Sequence, residues 1–453
     1  MHLQRFTVFI LTILMTVTML HTYVGADEET ASAAREEAAS EAGAEEDSGD
    51  MESEDEEGEG EGAEGAVSED EDSEDAVSED GEDEGAVSED EDSEDVEAGA
   101  EESEDEGAGV EEDGSSDSVE EDESGTRYYR SQLSDDERLL YDALVTCALS
   151  ENPSEEGDPI FLKIDPGSDE FRTMFRRAYN ALLYDRPELY WLNLGGSSFQ
   201  YRYSNRLFDR NTYKITFSLP EPYDEREEMM YALEEAADEF LSDIDLSAPD
   251  DEVALAVHDK LIDLVSYDHQ TSSGSPDDLA HTAYGALIHN SSGEPNTAVC
   301  DGYSGAYKYL LQKAGIQCLI LAGHAGDSEE TAGNHSWNLV NLDGDWYEVD
   351  ATWDDISSED LLDSDADYSG IAEEASRNDW YMDKLTHYLF NVTTEEITYF
   401  EPDDYFTYRT DRGWVSFLKS SVHIRYTEEE SDESGDYMTP LAPIAEGTEY
   451  SYR

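Results

Sequence analysis

The stretch NTAVCDGYSGAYKYLLQKAGIQCL, residues 296–319, holds two of the three cysteines in this 453-residue chain. Cys300 stands just before an apolar stripe at helical spacing, formed by Tyr303, Ala306, Tyr307, Leu310 and Leu311. Gly315 follows as a natural C-cap. A cysteine at a helix entrance feels exposed N–H groups and the helix dipole, and both favour the nucleophilic thiolate. Taken alone, such a residue is equally a packed side chain, half of a disulfide or a metal ligand. Its chemistry depends on what the fold places beside it.

The partners are found on a hairpin. Asp343-Gly344 separates two alternating runs, GNHSWNLVNL and DWYEVDATW, and that dipeptide is a strong tight-turn signal. With these two residues as the turn, Leu342 pairs with Asp345, Trp337 with Asp350 and His335 with Thr352. Strand side chains repeat every second residue, so His335, Trp337, Asp350 and Thr352 share one face. His335 and Asp350 become diagonal neighbours, roughly 7 Å apart in the backbone and within reach of an imidazole–carboxylate bond. A slip of one residue would separate them onto opposite faces. The chain thus offers a nucleophile, a base and an orienter for it, with main-chain N–H groups near Cys300 and Asp301 for an oxyanion.

Several elements must position these groups. SDDERLLYDALVTCALS reads as a helix capped by Ser134, with Leu139, Leu140, Ala143, Leu144 and Cys147 on its apolar face. A second helix, DEFRTMFRRAYNALLYD, ends before Pro187, and FQYRYSNRLFDRNTYKITFSL alternates as paired strands. Two more helices follow, REEMMYALEEAADEFLSDI and one opening at Pro249 with acids behind it. IQCLILAG is a short buried strand, which makes Cys318 a core residue. The tail beyond Tyr388 is aromatic and strand-rich.

Composition divides the chain more sharply than pattern does. Residues 27–126 carry 49 acids and one base, Arg35, with ten-residue repeats AVSEDEDSED, AVSEDGEDEG and AVSEDEDSED over 66–95. So little apolar surface cannot offset chain entropy, and the segment reads as a disordered acidic low-complexity spacer. Ahead of it, MHLQRFTVFILTILMTVTMLHTYVGA has a basic start, an apolar run and a small-residue cleavage site. That is the pattern of a signal peptide over 1–26, with an uncleaved anchor as the alternative. The product is expected to be secreted or at the cell surface, without stable membrane insertion once the signal is cleaved. Three cysteines is an odd number for an exported chain, so at least one thiol is left over. No CxxC pair or HExxH occurs, and no metal or cofactor is expected from sequence.

The segments AVCDGYSGAYKYLLQKAGIQC, GNHSWNLVNLDGDWYEVDATWDD and the preceding HTAYGAL resemble the core of the transglutaminase-like superfamily, in particular its secreted bacterial members. The likeness is specific over about 280–355 and weaker back to about 128 and on into THYLFNVTTEEI. It implies an α+β, papain-like core in which a central helix carries the nucleophile against an antiparallel sheet. Residue by residue it implies Cys300 as nucleophile, His335 as base and acid, and Asp350 as orienter. Tyr303, Trp337 and Trp353 are candidate cleft walls, and packing is an equally simple role for them.

The implied domains are a helical and β pre-domain over 127–250, the core over 251–400 and a β-rich C-terminal extension over 401–453. The expected reaction is acyl transfer at amide bonds by a cysteine peptidase or amidase, with protein-glutamine cross-linking as the alternative. A non-catalytic surface binding module on an acidic stalk is a third reading, and a cation-binding or wall-excluding acidic layer a fourth. Residues 127–453 hold 67 acids and 23 bases. That balance disfavours nucleic acid as a partner and favours a basic protein or peptide substrate, while the resemblance to secreted bacterial members implies a wall-associated one. The sequence sets no oligomeric state.

Overall fold

A computed structural model describes residues 127–453 except 195–196, 206–210, 270, 272–277, 357–368, 411–412, 432–434 and 453. The expected signal peptide and acidic spacer lie outside the described residues.

The chain enters through α1 (Tyr128–Gln132), α2 (Asp135–Ala148), β1 (Ile160–Leu162) and α3 (Asp169–Asp185). Ser134 caps α2 as its sequence requires: its hydroxyl accepts the Glu137 N–H, and Glu137 reaches back to the Ser134 N–H at 2.8 Å. Leu140, Leu144 and Cys147 are buried on this helix, but Leu139 faces outward, so the apolar stripe is narrower than the sequence suggests. A 3-10 turn over Pro187–Asn193 leads into β2 (Gln200–Asn205) and β3 (Tyr213–Ser218), which pair antiparallel as expected and take β1 on the far side of β3.

The core follows. Helices α4 (Arg226–Leu241) and α5 (Asp250–Leu264) precede β4 (Ser266–Tyr267), α6 (Ala283–Leu287) and β5 (Thr297–Ala298). Then come α7 (Cys300–Ala314), β6 (Cys318–Gly326), β7 (Gly333–Leu342), β8 (Asp345–Val349) and the single turn α8 (Ala351–Asp354). Gly315 closes α7 in the left-handed conformation, φ 86°. Beyond α8 lie α9 (Ser369–Ala375), α10 (Asp379–Leu385), α11 (Thr394–Thr398), β9 (Tyr399–Phe400), β10 (Thr407–Thr410), β11 (Gly413–Ser416) and β12 (Ser421–Arg425).

Five strands form an antiparallel sheet in the order β8-β7-β6-β12-β9, and α7 packs on it through its buried face. This is the α+β arrangement expected. Within the expected extension over 401–453, β12 pairs with β6 in the register Arg425–Gly323 and is an inner strand of the sheet. One hydrophobic cluster runs from Tyr129 and Phe175, in the expected pre-domain, to Tyr303, Leu339 and Ala445. The Tyr129 hydroxyl of α1 donates to the Ile320 carbonyl of β6 at 2.7 Å.

Candidate active site

The β7–β8 ladder has the register derived from the Asp343-Gly344 turn. Leu342 faces Asp345, Val340 faces Tyr347 and Asn338 faces Val349. Asp343 and Gly344 both have positive φ, 54° and 97°, the geometry that a two-residue hairpin turn demands. The pairing ends at Val349, however, so the expected Trp337–Asp350 and His335–Thr352 pairs do not form. Asp350 instead leaves the strand to cap α8, its Oδ1 accepting the N–H groups of Thr352 at 3.0 Å and Trp353 at 3.2 Å. Its Oδ2 turns back to His335 Nε2 at 2.6 Å. The carboxylate and imidazole meet as expected, through a helix cap rather than a strand diagonal.

A second imidazole shares that oxygen: His423 of β12 approaches Asp350 Oδ2 with its Nε2 at 2.9 Å. Asp350 is fully buried, so it holds four close polar partners out of contact with water. Burial alone would raise its pKa, but the charge and hydrogen bond of His335, then the bond from His423, hold the carboxyl well below the usual range. The His423 imidazole is lowered by its own burial, against the pull of Asp350. With Nε2 engaged by Asp350, His335 keeps Nδ1 for a reacting group. Its ring lies nearly parallel to Trp337, centroids 5.9 Å apart.

Cys300 is the first residue of α7, as the sequence suggests, but its environment is not the one a helix entrance alone implies. The residue is buried, and its thiol donates to Asp301 Oδ1 at 3.6 Å. Burial and the neighbouring Asp301 carboxylate push the thiol pKa well above its ordinary value, and the Ser336 N–H opposes them only in part. No hydrogen bond joins Cys300 to His335. Where a helix entrance favours the thiolate, Cys300 is held as a neutral thiol near the strand residue next to His335. The structure unites two of the three expected residues and brings the third to the same strand.

Two contacts clamp α7 to β7. Ser304 Oγ and Ser336 Oγ are 2.8 Å apart, and Asn338 Nδ2 donates to the carbonyls of Ser304 at 3.0 Å and Leu319 at 3.2 Å. Gly302 lies so close to the preceding segment that a Cβ there would meet the Ala280 carbonyl oxygen at 2.5 Å. The HSWN motif is thus used at each position. His335 meets Asp350, Ser336 and Asn338 hold α7, and the Trp337 indole donates to Glu348 Oε2 at 2.6 Å. Glu348 is in turn paired with Arg425 of β12 at 2.7 Å.

The expected cleft walls are corrected in part. Tyr303 and Trp337 are fully buried core residues, and the Tyr303 hydroxyl donates to Asp355 Oδ2 at 2.6 Å. Only Trp353 is partly exposed; it lies over His335 and His423 with centroids 6.0 and 4.7 Å away. Sequence reasoning missed His423 and Glu348, 73 residues from Asp350 in the first case, because no local pattern marks them. His281, which no motif marks, places its Nδ1 2.9 Å from Asp301 Oδ2, beside Cys300. Cys147, Cys300 and Cys318 are all free and buried, so no disulfide competes for Cys300. Where the sequence showed no metal-ligand motif, the fold brings histidines and carboxylates together twice among the described residues: His335, Asp350 and His423, and separately His258, Asp259 and His387.

Comparison with known proteins gives three findings. Residues 239–351 match the family model described as the transglutaminase-like superfamily. Kyphoscoliosis peptidase from Homo sapiens and its counterpart from Mus musculus are each 38% identical over 61 residues, 12% of this chain and 9% of the relative. The match thus spans less than a tenth of these relatives' own length. A solved structure titled "Crystal structure of a TGase" is similar at 12% identity over 44% of this chain and 51% of the other, with a TM-score of 0.24, too loose a superposition to bear on the fold. The chain carries a transglutaminase-like superfamily core domain at residues 239–351.

Proposed function

We propose that this chain is a secreted cysteine enzyme that performs acyl transfer at amide bonds, with Cys300 as nucleophile, His335 as general base and acid, and Asp350 as orienter. The supporting observation is the 2.6 Å His335–Asp350 contact on the strand whose next residue, Ser336, bonds Ser304 of the helix that Cys300 opens. The resting thiol is neutral, so substrate binding must turn Cys300 from Asp301 toward His335 Nδ1. The sulfur then bonds to the carbonyl carbon as its proton passes to Nδ1. Collapse breaks the C–N bond, and His335 returns that proton to the leaving amine or ammonia, leaving a thioester. Water attacks the thioester, with His335 taking and returning a proton, and releases the acid and the free thiol. A lysine amine in place of water would give a cross-link.

Hydrolysis is the first reading, supported by the peptidase name of the matched relatives. Basic peptides fit the acidic excess of residues 127–453, and wall-associated ones fit the resemblance to secreted bacterial members. Export rests on the 1–26 pattern; among the described residues no helix is long and apolar enough to cross a membrane. Incubating the full chain with a lysine- and glutamine-rich protein and a fluorescent primary amine separates the outcomes. New N-termini or released ammonia indicate hydrolysis, and incorporated amine indicates cross-linking. Both should disappear in Cys300→Ser and His335→Gln. The buried neutral thiol favours one second reading, a non-catalytic binding module on the acidic stalk. Binding of such substrates without turnover, unchanged in Cys300→Ser, would establish that reading instead.

A further inference from the structure

A second polar cluster lies one helical turn from Asp350. His258 of α5 is fully buried, with Nδ1 3.1 Å from Asp259 Oδ1 and Nε2 3.2 Å from Oδ2 of Asp354, the last residue of α8. His387, also buried, places Nε2 2.7 Å from the same Asp259 oxygen. Its Nδ1 lies 2.6 Å from the Asp383 main-chain oxygen and 3.1 Å from the Thr386 hydroxyl. One donor atom from each of His258, Asp259 and His387 falls within 4.8 Å of the others.

A main-chain carbonyl can only accept, so the Asp383 oxygen takes the Nδ1 hydrogen of His387, and the Asp354 carboxylate takes the Nε2 hydrogen of His258 in the same way. Asp259 is an acceptor too, so without an ion the other nitrogen of each ring donates to it. An ion would displace those two hydrogens, and His258 Nδ1, His387 Nε2 and the Asp259 oxygen would then converge on it. Each imidazole is held from behind by an oxygen acceptor, the arrangement that orients and strengthens a metal-ligating histidine.

We propose that His258, Asp259 and His387 form a site for a divalent transition-metal ion of the zinc class, bound through two nitrogens and one oxygen. This donor set suits zinc and its neighbours, whereas calcium and magnesium prefer oxygen alone. A tetrahedral ion with bonds of about 2.0–2.1 Å spaces its donors about 3.3 Å apart, so the shorter contact opens by roughly half an ångström on binding. The Asp259 side chain is 47% exposed, which gives the ion a route in and leaves a fourth position for water. Tyr452 stacks on the His387 ring at 4.1 Å, and its hydroxyl donates to Asp383 Oδ1 at 2.8 Å. Phe390 packs on His258 at 4.8 Å. An ion here ties α5 to the segment after α10, and through Asp354, whose N–H donates to the Asp350 carbonyl at 3.0 Å, to the turn that Asp350 caps. The inference does not depend on the acyl-transfer reading.

The test uses the untagged full chain, stripped with chelator and titrated with Co2+ in excess Mg2+, which occupies the carboxylates of the acidic spacer. The expected result is one tight equivalent with the strong visible bands of a four-coordinate nitrogen–oxygen site, displaced by Zn2+, and a raised melting temperature. Asp259→Asn, at a half-exposed side chain, should abolish the tight equivalent, and so should His387→Asn. Asp354→Asn should weaken it about 10–100-fold, and His335→Gln should leave it intact. A six-coordinate, weak Co2+ spectrum alone would mean that the cluster is an ion-pair network without metal. A tight site that survives Asp259→Asn, or one lost in His335→Gln, would equally overturn the assignment.

Discussion

At the scale of single residues, the environment of Cys300 reverses what its position promises. A helix entrance favours a thiolate, but a carboxylate one residue away and near-complete burial favour the thiol. Alkylation of Cys300 in the substrate-free protein should therefore rise about tenfold per pH unit from pH 7 to 9. Peptide mapping after iodoacetamide treatment reads this directly, and a plateau below pH 8 would show an ion pair already formed at rest. His423 bears on the other half of the site. It supplies one of two imidazoles to a fully buried carboxylate. Replacing it with alanine should cost about 1.5–3 kcal/mol, the range for a hydrogen bond to a charged group, in urea unfolding. His423→Gln should recover part of the loss by donating from its amide, while a purely steric role would give no such recovery.

Among the elements, the deciding contact is the approach of β12 to β6. Gly323 stands between His335 on β7 and Arg425 on β12. A Cβ at Gly323 would run into the Ile424 carbonyl oxygen and lie 2.9 Å from the Arg425 Cα. These are main-chain atoms, so no side-chain rotation relieves the clash and the two strands must part. Gly323→Ala is expected to destabilise by about 1–3 kcal/mol. It should also displace His423 and Arg425, and with them the contacts to Asp350 and Glu348. The histidine ring signals near Trp353 in an NMR spectrum would report that movement. Retention of those signals together with full stability would mean that the strands are not this close in solution.

For the molecule as a whole, charge outweighs every other surface property. The described part of the chain is strongly acidic, and the 100 residues ahead of it are more so. A field of that size raises the local concentration of basic substrates, and salt screens it over about 8–10 Å at physiological ionic strength. For a basic peptide substrate, kcat/KM should fall several-fold between 50 and 500 mM salt, mainly through KM. A neutral peptide of the same length should show little change. Equal salt responses of the two peptides would remove electrostatic steering from the account. Deleting residues 27–126 should flatten the basic-peptide response if the spacer contributes to the field.

The sequence by itself determined the local geometry. The Asp343-Gly344 turn has one compatible register, which the strands keep as far as Asn338 and Val349, close to His335 and Asp350 in the chain. The stripe from Tyr303 to Leu311 and the cap at Gly315 likewise settle where the Cys300 helix starts and stops. These are interactions between residues a few positions apart, so their periods and turn chemistry can be read directly. The tertiary structure alone decided what surrounds them. It placed β12 inside the sheet and His423 on Asp350, sent Tyr303 and Trp337 into the core, and gathered His258, Asp259, Asp354 and His387 from three separate segments. It also left Cys300 a protonated thiol beside Asp301, because burial depends on everything packed over a residue, and no local spacing records that.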